Sequence, residues 1–314
     1  MILKLRKKQG SNMKKNIFKD NLQLSIMAIP AIILVIMFSY IPMFGVIIAF
    51  KKFNPNLGIL GSKWVGIDNF KFLFRSNDFL RIMRNTVLYS MWFLFITTVA
   101  NFLFAVLLYN VRRKIALKYY QTTSILPSFM SIVLVSYIVY IFLNPSTGVV
   151  NNVIEKFGGQ KIDWYNNAGY WPAILTVVKV WMGVGMGSLY YYSALLSIDE
   201  ELFEAARLDG IRKHQEIRYI MLPHISGLIC MFLILGVGGL MNGDFGLHYQ
   251  VTRNVGALYP TTDIINTYTF RALQTGSSMG RTSAVSLFSS VSGMILLVIT
   301  NLIIKKIEPS KSLF

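Results

Sequence analysis

The chain has 314 residues, of which 54% are hydrophobic and only 14% charged, and its mean hydropathy is +0.51. A soluble domain carries about 25% charged residues, so these numbers argue against an ordinary soluble enzyme, and the apolar content excludes disorder. The net charge of +17 sits in short connectors between apolar runs, which fits membrane topology and anionic headgroups rather than nucleic acid.

Residues 1–21 form a basic segment with Lys4, Arg6, Lys7, Lys8, Lys14, Lys15 and Lys19 against one acid, Asp20. The apolar run that follows is too long for a signal peptide and shows no small-residue cleavage site, so its retention is expected. Charge-free gaps run from Asp20 to Lys51, Arg84 to Arg112, Lys118 to Glu155, Arg218 to Asp244 and Arg281 to Lys305. A sixth apolar run, Trp171 to Leu196, is interrupted only by Lys179. Each can hold the roughly 20 residues of a spanning helix. The predicted fold is all-α and polytopic, with spans near 22–50, 86–110, 122–143, 171–195, 222–242 and 282–304 in a membrane domain covering 22–304. A tail of 305–314 follows. Basic residues outnumber those of the opposite side on the N-terminal side of the membrane, which places both termini in the cytoplasm.

The sequence offers little chemistry. It has no phosphate-binding Gly-x-x-x-x-Gly-Lys-Ser/Thr loop and no Gly-x-Ser-x-Gly elbow. His214, His224 and His248 lack the i,i+4 spacing of a metal pair. Cys230, the one cysteine, reads as an inert core thiol. No catalytic residue, metal or cofactor is expected in this chain. Lys179 is the one ionisable residue inside a run; at about 12 Å from the Trp171 end it can snorkel or face a wet cavity.

The densest polar stretch lies between the fourth and fifth runs. Ser197 and Glu200 have capping-box spacing, and Asp199, Glu200 and Glu201 put negative charge at a helix N-terminus. Leu202, Phe203 and Ala206 are placed on one face. Gly210 suits a helix C-terminus, and a second short helix runs to Pro223, in the first turn of the next span. This describes a capped surface helix or a docking helix; the residues alone leave both open.

Glu204-Ala205-Ala206, then Gly210, then Ile220-x-Leu222-Pro223 resembles the EAA loop of ABC-importer permeases over twenty positions. Ile211 departs from the alanine common there. Tyr40-Ile-Pro-Met-Phe-Gly45, Trp64-Val-Gly66 with Asn69-Phe70, Arg84-Asn-Thr86, Gln121-Thr122 with Leu126-Pro127, and Trp181-x-Gly183-x-Gly185-x-Gly187 resemble the carbohydrate branch. Asp263-x-x-x-Thr267-Tyr268 and Asn301 are similar to its subgroup for oligosaccharides released from polysaccharides. The resemblance implies a type I permease fold and a transport subunit without enzymatic activity, in the bacterial cytoplasmic membrane.

It also implies partners: a sister permease, two ATPase subunits that use ATP and Mg, an extracellular or periplasmic sugar-binding protein, the oligosaccharide and membrane lipids, but no nucleic acid. Glu204, Ala205, Ala206, Asp209, Gly210, Ile220, Leu222 and Pro223 are the implied ATPase-coupling residues. The implied sugar path runs between the two permeases. Helical spacing puts Trp181, Ser188 and Tyr192 within about 20° of one face, with Asn242 and Asp244 across from it. Asp244 could equally be a solvated residue at the span's end, and the Gly-x-x-x-Gly pairs Gly183/Gly187 and Gly239/Gly243 read as close helix packing. A permease for another solute class is the alternative. An ion-coupled secondary transporter is disfavoured by the scarcity of intramembrane carboxylates.

Overall fold

The computed structural model describes residues 25–75, 77–275 and 278–312. The basic segment 1–21 and the first three residues of the predicted 22–50 span lie outside the described residues, as do Leu313 and Phe314. The architecture is a helical bundle. Among the described residues, five helices are long and apolar enough to cross a membrane, and a bent helix pair brings the number to six if it counts as one span.

The first span, α1 (Ser25–Phe50), is exposed along nearly all its length, with only Ala49 buried. It passes through a π turn at Ile36–Tyr40, just ahead of Pro42, and ends in a 3₁₀ segment, Phe44–Phe50. Proline lacks the N–H and crowds the carbonyl one turn back, so the ladder widens there. A small antiparallel pair follows, β1 (Lys51–Lys52) with β2 (Lys63–Trp64), then α2 (Asp68–Arg75) and α3 (Asn77–Tyr109).

The predicted 122–143 helix is not straight. It is a bent pair, α4 (Lys114–Ile125) with a 3₁₀ turn to Phe129, then α5 (Ile132–Leu143), at an angle of 99°. The residues explain the break. Pro127 opens the 3₁₀ turn, Met130 is extended, and the Ser131 hydroxyl caps α5 by accepting from the Leu134 N–H at 3.2 Å. Hydropathy sees only an apolar run and cannot register a proline and a cap inside it.

Between α5 and the next span, α6 (Val149–Lys156) packs back against α5. Asn151, fully buried, holds the loop: it donates to the Pro145 and Ile162 carbonyls and accepts from the Ile162 N–H and the Trp164 indole. The fourth span, α7 (Trp171–Leu195), coincides with its prediction. The short α8 (Glu200–Leu208) leads to α9 (Lys213–Gly238), which starts nine residues before and ends four before the predicted 222–242 limits. The last helices are α10 (Ile265–Gln274) and α11 (Met279–Ile307).

Among apolar helices in lipid, close packing of small residues replaces the hydrophobic effect as the driving force. Gly185 shows this. A Cβ there would collide with the Ser124 carbonyl, so α7 meets the end of α4 backbone to backbone. Gly187 meets the Asn101 side chain of α3, and Gly293 of α11 meets the Gly238 carbonyl of α9. Gly183 has open space around it, so the close contacts fall on Gly185 and Gly187 rather than on both members of the Gly-x-x-x-Gly pair. Side-chain cores form at both ends of the bundle. One gathers Trp171, Leu175, Val135, Leu247 and Ile264 beside the Asn151 loop. The other gathers Tyr191, Leu195, Phe203, Met221 and Ile225 beneath α8.

Candidate functional site

The loop between α7 and α9 forms a compact platform. Its N-cap is Asp199, not Ser197: the Asp199 carboxylate accepts from the Glu201 N–H at 3.1 Å. Ser197 instead donates to the Ala194 carbonyl and lies 3.3 Å from His224 Nε2. An aspartate one residue before two glutamates is the better cap, because its charge also favours the positive end of the helix dipole. Gly210 carries φ +74° after Asp209 ends the helix, the left-handed turn that its position suggested. The chain then re-enters helix at Lys213 and passes a π turn, Ile217–Met221, before Pro223.

The platform has two faces. Phe203 and Ala206 point inward, and Leu202, which the sequence grouped with them, is exposed. Phe203 packs on Tyr109 at the end of α3, with ring centroids 5.7 Å apart. The surrounding cluster adds Ala105 and Val106 of α3, Leu195 of α7, and Met221 and Ile225 of α9. Three spans therefore meet under one short helix. Ile220 is half-buried in this cluster. Glu204, Ala205, Asp209, Gly210, Leu222 and Pro223 are exposed, and Leu208 stands out at 89% exposure. Leu202 and Leu208 thus leave apolar side chains open on a helix seated on three spans.

The opposite end holds most of the polar geometry. Asp263, with a side chain 1% exposed, accepts from Arg271 at 2.7 Å and from the Thr267 hydroxyl at 2.7 Å, with Arg81 at 3.8 Å. The Arg271 guanidinium lies 4.0 Å over the Tyr259 ring. Asn85 donates to the Pro260 and Asp263 carbonyls, and the Thr86 hydroxyl accepts from the Ile265 N–H. The Arg84-Asn-Thr86 and Asp263-x-x-x-Thr267 motifs thus tie the start of α3 to the segment before α10. Asn69 likewise donates to the Ala49 and Lys51 carbonyls, and Trp64 stacks on Phe50 at 5.7 Å. These motif residues build a frame.

The residues proposed for the path separate. Trp181 is 39% exposed, and Asn242 is exposed. Tyr192 is half-buried against the cluster under α8. Ser188 is fully buried and donates to the Gly185 carbonyl at 2.9 Å, turned into the helix contact rather than to an open face. Asp244 meets a partner that the sequence did not assign to it: Lys179 Nζ donates to Asp244 Oδ2 at 2.7 Å. The other oxygen, Oδ1, accepts from the Leu247 N–H. Burial tends to raise the Asp244 carboxyl, but Lys179 and the Leu247 N–H outweigh it and hold the group below its ordinary range. His248, pushed down to about 4 by burial, is neutral and donates from Nδ1 to the Asp244 carbonyl at 2.9 Å. A chain separation of 65 residues hid the Lys179–Asp244 pair from sequence reading. The signal available was that each was the lone charge near its run. No group of three metal-ligating side chains occurs among the described residues.

The profile of binding-protein-dependent transport system inner membrane components matches residues 98–312. The protein LplB of Bacillus subtilis is 34% identical over 285 residues, covering 91% of this chain and 89% of LplB. The polygalacturonan/rhamnogalacturonan transport system permease protein YteP of Bacillus subtilis is 32% identical, covering 90% of this chain and 88% of YteP. Among solved structures, a chain of a bacterial ABC transporter involved in the import of the acidic polysaccharide alginate superposes with a TM-score of 0.84 at 31% identity, over 92% of this chain and 97% of that one. The shared sequence spans the helices under the platform, the platform itself and the last span, so the chain belongs to the family of binding-protein-dependent transport system inner membrane components, as a non-catalytic permease subunit of an ABC importer.

Proposed function

We propose that this chain forms one half of the translocation pathway of an importer for oligosaccharides, with a sister permease completing the pore. The observation that carries the coupling part is the α8 platform, where one short helix packs on the ends of α3, α7 and α9. A pair of ATPase subunits that closes on ATP and Mg would push on Glu204, Ala205, Asp209 and Gly210. Phe203 and Ala206 would transmit that push to three spans at once. The platform end then faces the cytoplasm, and the Asn151 loop and Asp263 frame face outside.

The cargo class is supported by the relatives, whose names specify polygalacturonan/rhamnogalacturonan and arabinooligosaccharide transport. One solved relative is in complex with an alginate pentasaccharide-bound periplasmic protein, which supports delivery of the sugar by a binding protein. Trp181, Asn242 and Asp244 are the path residues with open surface; Tyr192 contributes from a half-buried position, and Ser188 serves packing.

The test is co-expression with a sister permease and an ATPase of the same system, followed by purification. A complex of two permeases and two ATPases, lost when residues 204–210 at the end of α8 and its turn are replaced by a Gly-Ser linker, is expected. A stable chain that retains the ATPases without α8 would overturn the coupling assignment.

A further inference from the structure

The Lys179–Asp244 pair joins the first third of α7 to the turn beyond α9 at 2.7 Å, and both side chains keep about a third of their surface open, 36% and 33%. Lys179 lies eight residues into α7, about 12 Å from its outer end. A charged group at such depth is costly in lipid and belongs where it faces protein or water. The pair alone does not saturate its members. Lysine has three donors, and one is engaged with Asp244. Trp181 and Asn242, each two residues away, are also open. Beside Asp244, Phe245 stacks on Tyr249 at 5.1 Å and tilts against Phe270 at 5.0 Å, all three half-buried. Open donors and acceptors next to aromatic rings suit a polyhydroxylated ring with apolar C–H faces.

Building on the oligosaccharide-permease reading, we infer that Lys179 and Asp244 act as one specificity-determining unit on the wall of the sugar path. Lys179 donates to, and Asp244 accepts from, passing sugar hydroxyls. Because each neutralises the other, the pair sets the charge preference of the path. Removing one charge exposes the other, and the two removals act in opposite directions. Asp244 also caps the turn into Leu247–Val251, so a purely structural role predicts equal loss for all cargoes, whereas a wall role predicts a change in their ranking.

The experiment reconstitutes the full complex with binding protein in liposomes. It compares ATP-driven uptake of a uronate oligosaccharide with an uncharged one of equal length, per assembled complex. Lys179→Met leaves a bare carboxylate, and the uronate-to-neutral uptake ratio is expected to fall about tenfold. Asp244→Asn leaves a bare ammonium, and the ratio is expected to rise about tenfold. The exchange Lys179→Asp with Asp244→Lys should return the ratio to within about twofold of wild type. Ratios unchanged in both single variants, in a complex whose wild type transports, overturn the pair's role and leave the permease reading intact. A wild-type complex that moves no oligosaccharide overturns that reading instead. If the single variants fail to assemble, Asn242→Cys in a chain carrying Cys230→Ser supplies a second measurement. Its labelling by a hydrophilic maleimide should slow at least about threefold with oligosaccharide and loaded binding protein present. Unslowed labelling overturns the proposal.

Discussion

Leu208 offers the sharpest separation of docking from folding. It is 89% exposed at the end of α8, so Leu208→Ala removes almost nothing from the isolated chain. If the ATPase covers it, docking buries nearly the whole side chain, worth about 1.5–3 kcal/mol. At about 1.4 kcal/mol per tenfold, the variant should weaken ATPase binding roughly ten- to a hundredfold. Phe203→Ala is the counterpart. Phe203 is 2% exposed and touches spans rather than partner, and truncating a buried Phe costs about 3–5 kcal/mol. That change should loosen α8 from α3 and α9, lowering uptake far more than it lowers ATPase affinity. The assay is titration of purified permease dimers in nanodiscs with labelled ATPase, alongside uptake in liposomes. Leu208→Ala binding ATPase within twofold of wild type would refute the view that the ATPase covers this tip.

Further outcomes follow from the same geometry. Gly210 holds φ +74° with open space around its Cβ position, so Gly210→Val should abolish uptake by strain while Gly210→Asn, which tolerates that region, should retain most of it; membrane abundance and uptake read both. Gly185→Leu should prevent α7 from seating on Ser124 and Ile125, visible as loss of assembled complex on a native gel. Reporter fusions at Asp68, Gln160 and Arg253 should read outside, and those at Lys114 and Lys213 inside; Lys114 outside would reverse the orientation.

The number of crossings was legible because apolar runs and connector charges report the lipid directly. Trp171–Leu195 was read to the residue, since proline near its start and the capped loop after its end mark both limits. The 99° break at Phe129–Ile132 was not legible from hydropathy; it arises from Pro127 and the Ser131 cap. The platform was readable as a helix, a glycine turn and a proline-limited re-entry. Its cap was misplaced by two residues, because Ser197 fits the spacing rule while Asp199 adds charge to the same geometry. Leu202 was misassigned because an apolar residue one position before Phe203 fits the helical spacing of the buried face, yet its side chain is exposed. The path residues were the hardest. Helical spacing grouped Ser188 with Trp181, but Gly185 draws that stretch against α4 and buries the serine. No periodicity encodes a contact between Lys179 and a turn 65 residues away.

On the proposed function, this chain carries oligosaccharides inward under the drive of a partner ATPase working through α8. The most direct measurement is uptake of a labelled oligosaccharide into liposomes holding the chain with its sister permease and ATPases, binding protein outside and ATP inside. Uptake should require ATP and binding protein together and should vanish with the Phe203→Ala platform. Uptake that proceeds without ATP under an imposed proton or sodium gradient would show that the partner ATPase does not drive transport.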